Sequence, residues 1–286
     1  MSIRRILVPF SASDAGERAL HWAFGLARGL DAHVAVLHVR ADPKATVPLL
    51  GEGVSGAMVE ELIVLTEKEA EARAAKARDR FESMRAEAGL EIREKAGATG
   101  SSTRFLEVVG REDDVTVREG RLSDLIVIGH ARDDGDPFAR ATLDAALFES
   151  GRPVLIAGGQ PVAVTGTRIA IAWNGSAEAA RAVSSALPLL HHADTVRVYA
   201  VETEVTRESG DGLVAFLAWH GIAAALGALP EDKGSIGETL LTAAAADRID
   251  LLVLGAYTHS RLRQLILGGV TRHLIEHAPL PLLMAH

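Results

Sequence analysis

One order of segments occurs twice in this chain, and that duplication constrains the fold more than any single motif. Arg5-Ile6-Leu7-Val8-Pro9-Phe10-Ser11-Ala12-Ser13 is matched by Arg168-Ile169-Ala170-Ile171-Ala172-Trp173-Asn174-Gly175-Ser176, each a short apolar strand running into a small polar loop. The same offset aligns Arg18-Ala19 with Arg181-Ala182, inside an Ala-rich stretch of helical character. A second strand follows, His33 to Val39 in one half and Thr195 to Val201 in the other, each after an aspartate, Asp31 or Asp194. Further on, Asp124-Leu125-Ile126-Val127-Ile128-Gly129 matches Asp250-Leu251-Leu252-Val253-Leu254-Gly255. Gly151 to Ala157 then parallels Ala278 to Ala285. This repetition predicts two domains, residues 1–160 and 161–286, with a linker near Gly158 to Gly166 where glycine and proline punctuate the pattern.

The runs Leu125–Ile128 and Leu251–Leu254 are continuously apolar, as strands buried on both faces require. Strands alternating with helical segments give a doubly wound α/β fold, in which ligands bind at the carboxyl ends of the strands. The halves differ mainly after the second strand. There the first copy holds a long Glu-, Lys-, Arg- and Ala-rich helix, roughly Met58 to Ala88, polar on most faces and expected to lie largely on the surface.

Composition removes several classes of function. The chain carries 30 Lys+Arg against 38 Asp+Glu, a net charge of −8 with no basic run, which argues against nucleic acid as a partner. It contains no cysteine, so disulfides, thiolate metal sites and cysteine nucleophiles are excluded. The apolar stretch at the N-terminus is too short for a signal peptide, and no segment approaches the ~20 apolar residues of a membrane span. A cytoplasmic protein that neither crosses nor binds a membrane is the expectation.

The segment from Gly255 to Thr271 carries the most chemical information. It starts at the carboxyl end of a buried strand, passes Ala256-Tyr257-Thr258-His259, and reaches Gly268-Gly269-Val270-Thr271 at the start of a helix, Val270 to His277. Glycines let backbone amides approach an anion, and a helix N-terminus supplies unpaired N–H donors. Arg261, Arg263 and Arg272 would add positive charge nearby.

This segment resembles the phosphate motif of the universal stress protein family: a glycine, two residues, a glycine, nine residues, then Gly-Ser or Gly-Thr. The spacing from Gly255 through Thr258 to Gly268 is kept, with Thr258 in place of the second glycine and Gly269 in place of the hydroxyl residue. The resemblance covers both halves, so the chain looks like a tandem member. It implies two Rossmann-like, five-stranded, mostly parallel sheets of strand order 3-2-1-4-5, with helices on both faces. The final strands, Pro153 to Ala157 and Pro281 to Ala285, should pair across a pseudo-two-fold and so imitate a homodimer within one chain. It also implies that an adenine nucleotide, ATP with magnesium, or another anion binds in the second half. Asn174 stands where the family has an aspartate, groups around Val201 would read the adenine edge, and His259 could reach the ligand. Ser11 holds the equivalent position in the first half. There Gly129 is followed by Arg132, Asp133, Asp134 and Asp136 without a glycine-rich helix start, and the carboxylates would repel phosphate.

Two further patterns are read as decoys. Gly51 to Gly56 satisfies G-x-G-x-x-G but does not follow a strand. His273-Leu274-Ile275-Glu276-His277 matches H-x-x-E-H, but the duplication places it on the helix before the last strand, without a third ligand. No catalytic or metal-ligating residue is assigned. The expected function is stress-response regulation through a bound nucleotide and a protein partner. The alternatives are a ligand-free interaction scaffold using the long helix, or a slow nucleotide hydrolase for which no general base is evident.

Overall fold

The computed structural model describes residues 2–42, 56–97, 99–130, 137–158, 167–200, 204–229, 234–256 and 269–286. The first half runs β1 (Arg5–Pro9), α1 (Asp14–Leu30), β2 (His33–Arg40), α2 (Gly56–Ala88), β3 (Glu91–Ile92), β4 (Ser102–Val109), α3 (Glu112–Gly120), β5 (Leu125–Gly129), α4 (Pro137–Glu149) and β6 (Val154–Ala157). The second runs β7 (Thr167–Trp173), α5 (Ala177–Leu190), β8 (Ala193–Ala200), α6 (Glu204–Trp219), β9 (Ala224–Leu226), α7 (Ile236–Ala246), β10 (Leu251–Gly255), α8 (Gly269–His277) and β11 (Leu282–Ala285). The linker expected near Gly158 to Gly166 lies, from residue 159 onward, outside the described residues.

The strands form one sheet in the order β3-β4-β2-β1-β5-β6-β11-β10-β7-β8-β9. Apart from the two-residue β3 at one edge, each half has the order 3-2-1-4-5 that the resemblance implies. Within each half every pairing is parallel. The halves join by β6 and β11, antiparallel, with Leu155 opposite Leu283 and Met284 opposite Val154.

The duplicated residues hold equivalent positions. Ser13 and Ser176 cap α1 and α5 by accepting from the N–H groups of Gly16 and Ala179. The aspartate opening each matched strand secures the neighbouring strand. Asp124 Oδ2 accepts from the Arg4 and Arg5 N–H groups, and Asp250 Oδ2 from that of Arg168. Asp31 ends α1 in the left-handed conformation, φ 52°.

Alternation along the strands divides the core between the two faces. On one face Ile6, Val8, Val34 and Val36 meet α1 and the Ala77, Phe81 and Met84 side of α2, and the same cluster continues through Ile169, Ile171 and Val253 of the second half. On the other, Leu7, Ala35, Ile126 and Leu252 meet Val115 of α3, Leu143 and Leu147 of α4, and Leu240 and Leu274 of α7 and α8. The long helix is therefore less superficial than its composition suggests. From Ala70 onward it buries Ala70, Ala74, Ala77, Phe81 and Met84, alternately four and three residues apart, while residues 57–69 bury none. Glu17 of α1 clamps it, its two carboxylate oxygens accepting from Arg80 Nε and Nη2 at 2.6 and 2.7 Å.

Candidate functional site

The parallel register sets one row of residues at the carboxyl edge of each half. In the second half it reads Ala200, Trp173, Gly255, Ala285 from strand to strand. Gly255 is required by a close approach, since a Cβ there would lie 2.4 Å from Ala179 N and 2.9 Å from Glu178 Cβ. The missing side chain thus lets the first turn of α5 close over the end of β10. The first half repeats the contact, with a Cβ on Gly129 only 2.3 Å from the Ala15 carbonyl oxygen.

Beyond that row the halves diverge. After β1, Phe10 is 3% exposed and His38, at the end of β2, 6%. His38 Nδ1 lies 2.9 Å from the Phe10 carbonyl oxygen, and its ring stacks on Phe105. Ala12, at φ 54°, and His130 are buried too. Among the described residues of that edge, Ser11, the counterpart of Asn174, is exposed. In the second half Trp173 remains half-buried, its indole N–H donating to Ser209 Oγ of α6 at 2.8 Å. Asn174 and Gly175 are exposed, Gly175 at φ 73° as the turn into α5 requires. Asn174 Oδ1 accepts from the Ser176 N–H at 3.1 Å, so the carbonyl end of that side chain shapes the turn and the amide nitrogen is the end left to a ligand.

The helix starts are unequal as well. Ser176 and Asn174 already satisfy donors at the start of α5. The first N–H groups of α8 have no intrahelical partner by construction, and Gly269 at its first described position is exposed, with no described residue within 4 Å of where a Cβ would lie. Val270 is half-buried and Thr271 buried. Arg272 was expected to add positive charge, yet its Nε lies 2.7 Å from Glu276 Oε1, and that pair holds the Glu276 carboxyl below its usual range. Val201, Thr258, His259, Gly268, Arg261 and Arg263 lie outside the described residues, as does the acidic loop of the first half from residue 131 to 136.

The spacing gave no sign of several supporting contacts. Tyr199 is fully buried below the edge, its hydroxyl donating to Asp247 Oδ2 at 2.8 Å, and burial followed by that bond pushes it far above the normal tyrosine range. Its ring fills the space where Gly227 lacks a Cβ, which would sit 2.2 Å away. Glu178, against Gly255, is paired with Arg181 at 2.7 Å. His273 and His277 stack at 4.3 Å, and among the described residues no three metal-ligating side chains come together.

No helix among the described residues is long and apolar enough to cross a membrane. No curated protein matches the sequence. Two solved structures share the architecture across nearly the full length. A universal stress protein from Archaeoglobus fulgidus DSM 4304 is 15% identical, with 98% of this chain and 97% of that one covered at a TM-score of 0.63. A functionally unknown protein from Pseudomonas aeruginosa PAO1 is also 15% identical, with 99% and 92% covered at a TM-score of 0.61. At that identity they establish the fold alone. The model of the universal stress protein family matches residues 2–150 and 230–286, well over half of the sequence and in both halves. The chain belongs to the universal stress protein family.

Proposed function

We propose that this protein is a stress-response regulator whose second unit, residues 161–286, binds a phosphate-bearing ligand, with an adenine nucleotide the first to test. The asymmetry of the two carboxyl edges carries the reading. At one edge Phe10, Ala12 and His38 are buried and Ser11 is exposed, whereas the other keeps Asn174, Gly175 and Gly269 all exposed, the last at the start of α8, whose first N–H groups have no acceptor within the helix. Helix N-termini stabilise anions through those donors and the helix dipole. Glu178 is committed to Arg181, so magnesium would arrive on the nucleotide phosphates rather than on that carboxylate. The retained spacing from Gly255 to Gly268 supports the same placement. Binding at this point changes the surface around α8 that a partner protein reads.

Gly269→Asp tests the site without disturbing the fold. A carboxylate in the first turn of a helix favours the helix by about 0.3–1 kcal/mol but repels an incoming phosphate. The expected result is a thermal midpoint equal to or above that of the unmodified protein, and loss of the upward shift that millimolar Mg-ATP gives the unmodified protein. Equal shifts in both proteins would refute the site.

A further inference from the structure

The amino-terminal part of α2 and the half-buried face of β4 opposite α2 are complementary. A 33-residue helix is about 50 Å long, whereas the eight-residue strands β2 and β4 span about 26 Å. α2 returns antiparallel to those strands, and its buried residues begin at Ala70, so residues 56–69 extend past the carboxyl ends of the strands. The stripe that docks α2 continues into this overhang at Thr66, Ile63 and Val59, which are half-buried, while Val64 and Leu65 are 63% and 54% exposed. Glu60, Glu61 and Glu67 make the same segment acidic.

The receiving surface lies on the opposite side of the sheet. α2 covers the Phe105 side of β4, and α3 packs on the other side over β1 and β2. There Leu106 and Val108 are half-buried near the carboxyl end, and Arg104 lies two residues further toward the amino end, beside Arg93 of the β3 edge. Arg104 Nε has no hydrogen-bond partner among the described residues. The local field is positive. His33 nearby is held down to about 4, first by burial and then by Arg104, Arg5 and Arg93.

The geometry points to a second copy of this chain as the occupant: the overhang of α2 from one copy lies along the half-buried outer face of β4 of the other. A two-fold axis in the sheet plane, perpendicular to the strands, brings the carboxyl edges together and reverses the faces. Each overhang then covers that half-buried face of its partner, an isologous exchange. The polarity agrees with this. The acidic tip, Glu60 and Glu61, reaches farthest toward Arg104 and Arg93, while Ile63 and Thr66 fall nearer Leu106 and Val108. The exchange does not depend on nucleotide binding.

Sedimentation equilibrium of the full chain, with thermal melting of each variant as the folding control, tests this. The expectation is a concentration-dependent dimer. Ile63→Asp on the overhang and Arg104→Glu on the face should each raise its dissociation constant at least tenfold at an unchanged melting point. Adding Glu60→Arg to Arg104→Glu should recover much of the loss. A wild-type monomer throughout the micromolar range overturns the proposal, and so does a dimer that neither single variant weakens.

Discussion

At Gly129 and Gly255 one methyl group decides whether helix and strand can close on each other. A Cβ on Gly129 would lie 2.3 Å from Ala15 O, against backbone that has no other place to go. Gly129→Ala should destabilise the protein by about 1–3 kcal/mol, the usual cost of overpacking. Gly25, in the middle of α1 with nothing within 4 Å of its Cβ position, is the control, and Gly25→Ala should stabilise by about 0.5–1 kcal/mol. Urea unfolding of both variants checks the pair. The spacing around Gly255 could be read from sequence, but not that its partner is the first turn of α5. That contact joins residues distant along the chain. Asn174 shows the same limit, because its position was legible while its bond to the Ser176 N–H depends on the turn actually formed.

His33 makes a prediction about pH at the same scale. Its folded value of about 4 lies below the ordinary 6.5, so between those values the unfolded chain binds the proton first. Its contribution to stability is complete above pH 6.5 and is lost as pH falls toward 4. Replacing it, as in His33→Gln, should flatten the decline in urea midpoint between pH 6.5 and 4.5. An unchanged slope would mean that His33 is not held neutral by the fold.

Among the elements, α2 lies largely on the surface as expected but carries a buried stripe that its composition concealed. The alternation of Glu, Lys, Arg and Ala hid the stripe from Ala70 to Met84, because alanine is small and carries little hydrophobic signal, yet it lets the helix approach the sheet closely. The clamp from Glu17 to Arg80 is partly exposed, at 26% and 37% for the two side chains, so Glu17→Gln should cost no more than about 1 kcal/mol. Ala77→Asp, which buries an unpaired charge under the same helix, should cost several times as much by the same unfolding assay. β4 escaped notice for a related reason. Arg104 and Glu107 interrupt Ser102 to Val109, so this strand next to the short edge strand β3 reads as a mixed polar segment, although its Phe105 packs under Arg78, 4.8 Å above the ring. Strands buried on both faces, such as β5 and β10, were plain in sequence because each of their first four residues is buried.

For the whole molecule, the duplication announced two like halves, and the family resemblance implied the strand order of each and the pairing of β6 with β11, which the structure shows to be antiparallel. Neither could foretell that Phe10 and His38 would bury each other at one carboxyl edge, since they stand far apart in sequence and only the β1–β2 pairing brings them together. The shared core cluster crosses the junction, so Leu283→Asp should weaken both halves in a single transition rather than release one of them, as coincident near- and far-UV dichroism would show. The central claim is that the two carboxyl edges differ and that the second binds the phosphate-bearing ligand. Calorimetric titration of the nucleotide-stripped chain with Mg-ATP tests it most directly. The account predicts one site per chain, lost in Gly269→Asp, whereas two equivalent sites, or no heat at millimolar nucleotide, would contradict it.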